Sequence, residues 1–218
     1  MLRHRLSILP ALAVLTLVGC AASGDPGAEG DAASQPTPEP SVEAVELDEP
    51  VLDPTAWPAR VFTDGTMPEA DAAGQAQADA WLAGVVVPAG AVRLDERPRD
   101  VAFLGLQEQG WWCAPMGLAA GYWQVPDMDV IETVNWLAAN PGPGLVSSMP
   151  EPYADDGAHV DGASVGLVPE LGALEGMALT AAVAPGGVVV RAEVGAFGDT
   201  TVCPTPPPGE MLGGPGQG

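Results

Sequence analysis

The chain has 218 residues, a formal net charge of -22 and seven basic residues, every one of them arginine. The absence of lysine excludes Schiff-base chemistry and the lysine of a phosphate-binding loop. So acidic a chain has no basic patch with which to release counterions from nucleic acid, and it is repelled by anionic lipid head groups, so neither is expected as a direct partner. Its length suits one domain with extensions. Hydrophobic residues make up 47% of it, enough for a core, but much of this is Ala and Val and aromatic residues are only 5%.

Residues 1–20 have three parts. Arg3, His4 and Arg5 form a positive head, and an apolar run follows over residues 6–18. That run is shorter than the roughly 20 residues a membrane span needs, and it fits the apolar region of an export signal. Leu17-Val18-Gly19-Cys20 then resembles the lipobox of bacterial lipoprotein precursors. The resemblance implies cleavage before Cys20, a diacylglycerol thioether on its sulfur and acylation of its freed amine. Residues 1–19 would then be a signal peptide, and the protein would sit on the extracytoplasmic face of the cell membrane. Two or more acyl chains hold such an anchor, each buried methylene contributing about 0.8 kcal/mol.

Residues 21–56 carry nine acidic residues, no basic residue and no aromatic, among many Ala, Pro, Gly and Ser. This composition cannot bury enough surface to fold, so a disordered tether is expected, roughly 35 Å in mean span.

A folded domain is expected over residues 57–204. The spacing predicts a first helix over 69–83, opened by a capping box at Thr66-Met67-Pro68-Glu69 and stopped by Gly84. Short extended pieces follow at 85–87 and 91–94, and strands are expected at 101–106 and 119–125. A second helix starts at the cap Asp129, with Asp127 read as a further capping residue, carries Val130, Val134, Leu137 and Ala138 on one stripe, with Trp136 at its edge, and ends at Asn140-Pro141-Gly142. A strand is expected at 163–168. Met177, Leu179, Ala181 and Val183 alternate, as do Val188, Val190, Ala192, Val194 and Ala196. With Ala184-Pro185-Gly186-Gly187 between them they read as a β-hairpin, whose outer face carries Val189, Arg191 and Glu193. Helices mixed with antiparallel strands give an α+β class, a small single domain with an antiparallel sheet packed against two helices. Residues 205–218 read as a flexible tail.

Three cysteines in an exported chain leave one over. With Cys20 lipidated, Cys113 and Cys203 are expected to pair, the alternative being two separate buried thiols. Four further groups carry candidate chemistry. Trp111, Trp112 and Trp123 either fill the core or present a ligand surface. Asp155, Asp156, His159 and Asp161 gather oxygen and imidazole donors but lack the order of a calcium loop, so they are a weak metal candidate and no cofactor is expected. Gly162-Ala163-Ser164-Val165-Gly166 matches the letters of a nucleophile elbow, but the nearby His159 precedes it and no helix start follows. Arg93, Arg97 and Arg99 are expected to pair with Asp95, Glu96 and Asp100.

The segments VPAGAVRLDERP, GYWQVP, VNWLAANPGPG and GGVVVRAEVGAF resemble, across about 80–200, a group of uncharacterised secreted or lipidated proteins of high-GC Gram-positive bacteria. That resemblance implies no catalytic residue. The function expected is non-enzymatic, a binding or accessory role toward an envelope protein or glycan. The alternative is an envelope glycan hydrolase with paired carboxylates, such as Glu108 or Asp161.

Overall fold

The computed structural model describes residues 57–63, 65, 67–154 and 156–217. Along them run β1 (Val61–Phe62), α1 (Ala72–Ala83), β2 (Val92–Leu94), α2 (Phe103–Leu106), β3 (Gly110–Trp111), β4 (Ala114–Val125), α3 (Val130–Ala139), β5 (Val146–Ser147), β6 (Gly162–Val168), β7 (Gly176–Ala184) and β8 (Gly187–Val202). β1 and β3 form a two-stranded ribbon, and the other six strands form one antiparallel sheet in the order β2-β4-β8-β7-β6-β5. This is the expected α+β class, with helices packed on an antiparallel sheet.

The hairpin β7–β8 forms where alternation placed it. Ala184 pairs with Gly187, leaving Pro185 and Gly186 as the loop. Pro185 supplies a fixed negative φ, and Gly186 takes a φ of 81° that a side chain would resist. Even-numbered residues of β8 from Val188 to Ala196, with Met177, Leu179 and Ala181 of β7 and Val165 and Leu167 of β6, make one buried apolar face. α3 lays Val130, Val134 and Leu137 into that face, and Trp136 packs at its margin as expected. The carboxylate of Asp129 caps α3 by accepting from Glu132 N at 2.7 Å. Asp127 is not a cap; it stands in a left-handed turn conformation at φ 57°.

α1 approaches the same face unusually closely. A Cβ on Gly117 of β4 would lie 2.1 Å from the Gly74 carbonyl oxygen, so only glycine lets helix and strand meet there. The helix begins at Ala72, three residues later than the capping-box pattern suggests, and Asp71 is its cap. One Asp71 oxygen accepts from Gly74 N at 2.9 Å, and the other accepts from Thr200 N of β8 at 3.0 Å. The capping residue is thus selected by a tertiary partner as well as by local pattern.

Three other expectations are corrected. Of residues 101–106, taken as a strand, the last four form the short helix α2. Arg97 pairs with Glu108 at 2.9 Å rather than with a sequence neighbour, and the Arg93 guanidinium lies over the Trp123 ring. The tail does not project: the Trp112 indole N–H donates to Gly213 O at 2.9 Å, and Gly216 N donates to Gln109 Oε1 at 3.0 Å.

Cys113 and Cys203 form a disulfide. It lies just beyond the last β4–β8 pair, Ala114 with Val202, and closes a loop of 90 residues. In the chain-entropy account such a loop limits the unfolded state by about 4.5 kcal/mol. Replacing both cysteines by alanine is expected to cost about 2–4 kcal/mol and to lower Tm by roughly 10 °C, as read by calorimetry. Hydrogen bonds from Gly74 and Thr200 hold the Asp71 carboxyl below its ordinary value. Its charged form therefore favours the folded state above the ordinary aspartate range, and that contribution fades as pH falls through the range. Asp71→Ala is expected to melt below the unmodified protein at pH 7, and the gap should close below about pH 4.

Candidate functional site

The second face of the sheet is covered too, and this is where the polar chemistry gathers. Register places Tyr122, Arg191, Thr180 and Ser164 opposite one another across β4, β8, β7 and β6. The next row is Ala120, Glu193, Ala178 and Gly166. The expected outer face is therefore not outer: Arg191 is 2% exposed and Glu193 3%. Residues 97–110 lie over them, and Val101 and Leu104 close the patch against Ala182 and Val189.

Two charges buried on one strand need partners, and each has several. Arg191 Nη2 meets Glu193 Oε2 at 2.7 Å. The guanidinium also donates to the carbonyl oxygens of Leu104, inside α2, and Gln107, just beyond it. Glu193 Oε2 accepts from Gln109 N at 3.0 Å. Burial pushes the Glu193 carboxyl above its ordinary value and the Arg191 guanidinium below its own, while each partner's charge opposes the shift. Burial likewise raises the Tyr122 phenol.

Beside the pair opens a cleft of about 260 Å³. Its floor is Ser164, Thr180 and Glu193, and its sides are Phe103, Tyr153 and the run from Gln107 to Gln109. The Ser164 and Thr180 hydroxyls lie 2.9 Å apart. The Phe103 ring lies against Gly162, where a Cβ would be 2.2 Å from it. Tyr153 is held from α3 by two bonds with the Asn135 amide and donates its hydroxyl to Ser164 O at 3.0 Å. A smaller chamber of about 110 Å³ lies by Thr63, Arg97, Tyr122 and Arg191. Glu108 and Glu193 line both spaces. Arg191 Nε is the one buried side-chain nitrogen or oxygen among the described residues that lacks a hydrogen-bond partner.

The sequence candidates fall as follows. Trp111 and Trp123 are not a ligand surface. Trp111, 1% exposed, packs over Gly195 and donates to Thr63 Oγ1; Trp123, 6% exposed, belongs to the main core. Both are drawn inside because their rings are the largest apolar area the chain offers. Trp112 is half-buried, with the Arg60 guanidinium 4.3 Å above its ring and Trp57 beside it. Ser164 stands within strand β6, not at a strand-to-helix turn, so it does not have the setting of an elbow. His159 and Asp161 pair at 3.1 Å in the open, Asp156 accepts from Ala158 N, and no metal-binding cluster occurs among the described residues. Cys20 and Asp155 lie outside the described residues.

Sequence reasoning missed Arg191, Glu193, Thr180 and Tyr153. The available signal was a charged pair, Arg191 and Glu193, inside a strand whose flanking residues are all aliphatic or small. No family model matches the chain, and no curated protein or solved structure matches it either.

Breaking the buried pair from one side is expected to be costly. Arg191→Met leaves a buried carboxylate without its counter-charge and should lower the unfolding free energy by about 3–5 kcal/mol in urea titration. Unpaired, Glu193 holds its proton to higher pH in the folded state, so the deficit should shrink as pH is lowered toward about 4. Pairing Arg191→Met with Glu193→Leu should recover the part due to the uncompensated charge, but not the part due to Leu104 O, Gln107 O and Gln109 N, each of which has lost a partner.

Proposed function

We propose that this chain is a lipid-anchored protein of the extracytoplasmic membrane face, whose α+β domain binds an envelope protein or glycan in a non-enzymatic, accessory role. The Cys113–Cys203 disulfide carries the reading. It supports an oxidising compartment, and it leaves Cys20 as the single cysteine free for acylation. That cysteine completes the Leu17-Val18-Gly19-Cys20 box. Acyl chains, not charge, would hold so acidic a chain at a membrane. The acidic segment 21–56 would keep the domain clear of anionic lipid.

A glycan hydrolase is the second reading, and one observation favours it: Glu108 and Glu193 face the same cleft. Two carboxylates are the minimum equipment for that reaction. Both are already committed to arginines, Glu108 to Arg97 and Glu193 to Arg191, which favours recognition over proton transfer. A hydrolase would release new reducing ends from purified envelope glycan; the binding reading expects none.

Metabolic labelling with an alkyne-bearing fatty acid tests the anchor. The unmodified protein is expected to take up label and to sediment with membranes, whereas Cys20→Ser should lose the label and appear in the medium. Label retained by Cys20→Ser, or an unlabelled native protein in the medium, would refute the anchor.

A further inference from the structure

We propose that the cleft between α2 and Tyr153 takes one neutral, polyhydroxylated ring, a single sugar unit of an envelope glycan. The proposal rests on the binding reading above and names the ligand class of that same cleft.

Charge selects against the alternatives. From Trp57 onward the chain carries five arginines against twenty acidic residues, so an anionic ligand is repelled at long range. The two arginines near the cleft offer it no free fork: Arg191 is occupied by Glu193 and two carbonyls, and Arg97 by Glu108 and Leu104 O. A cationic ligand gains less here than beside free carboxylates, because Arg97 and Arg191 already balance the charges of Glu108 and Glu193. A neutral ligand with many hydroxyls needs neither. It can donate to the remaining lone pairs of Glu108 and Glu193 and exchange bonds with the Ser164 and Thr180 hydroxyls.

Shape agrees. Phe103 and Tyr153 line the cleft beside the polar groups of Ser164, Thr180 and Glu193, so it combines apolar and polar surface, as a sugar ring does. At about 260 Å³ the cleft is smaller than typical drug-sized pockets, which suits one ring and not a chain of them. The polar floor is set in advance. Register fixes Ser164 opposite Thr180, and the Arg191 and Gln109 bonds hold Glu193, so little ordering is needed on binding.

The test uses the full chain in a detergent without a sugar head group. Saturation-transfer NMR is recorded with glucose and N-acetylglucosamine, and with putrescine as the cationic probe; inorganic phosphate, the anionic probe, is titrated by calorimetry. Saturable binding of at least one sugar at roughly millimolar affinity is expected, with none for phosphate or putrescine. Tyr153→Ala, at a half-exposed position, and Ser164→Ala should each weaken it about tenfold, while Val202→Ala, remote from the cleft, should not. Binding of phosphate or putrescine in place of sugar overturns the proposal, as does sugar binding that neither cleft substitution weakens. Absence of saturation by either sugar at tenfold higher concentration overturns it as well. Loss of fatty-acid label would overturn the anchor and leave the sugar result standing; failure of every sugar with label intact overturns only the ligand class.

Discussion

The arginine–glutamate pair of β8 is the constraint around which the cover on the second face of the sheet is arranged. Moving two charges out of water costs several kcal/mol each, and a lone contact between them does not repay that. Here the cost is offset by spreading the charges over backbone groups. Arg191 reaches Leu104 O and Gln107 O, and Glu193 receives Gln109 N. Those three backbone groups belong to one stretch of chain. Satisfying the buried charges therefore clamps residues 104–109 onto the sheet, and that clamp sets one side of the cleft.

The two faces of the sheet use different physics. The helical face is aliphatic and close-packed, with glycines at Gly74 and Gly117 bringing α1 down onto β4. It is tolerant of exchange among similar apolar side chains. The other face is a polar layer with fixed partners, and it admits fewer substitutions because each lost partner orphans a buried group. The C-terminal segment joins this layer through Gln109 and Trp112, so the same short stretch ties together the buried pair, the cleft and the end of the chain.

How much of this was legible in the sequence depends on how local each cause is. α3 is legible because its cap, stripe and stop lie within a dozen residues of one another. The β7–β8 hairpin is legible because period-two alternation and a Pro-Gly turn are both short-range. The start of α1 is misplaced because Asp71 also answers to Thr200, 129 residues away. Residues 101–106 look like a strand because a short apolar run fits either period. Arg191 and Glu193 alternate with valine and alanine as solvent-facing residues do, and no neighbour in sequence reveals that 97–110 will cover them. The tail reads as loose because Gly and Pro bury little, yet it is held by backbone hydrogen bonds that composition does not count. Of the cleft, only Ser164 and Glu108 stand out in sequence, the first through a motif whose setting is absent.

Amide hydrogen exchange followed residue by residue tests the central role of the buried pair most directly. The account predicts that Gln109 N–H, bonded to Glu193, exchanges about as slowly as the β8 ladder, and that Arg191→Met releases residues 104–109 while α1 and α3 keep their protection. Fast exchange of Gln109 in the unmodified protein, or unchanged protection of that stretch in Arg191→Met, would contradict it.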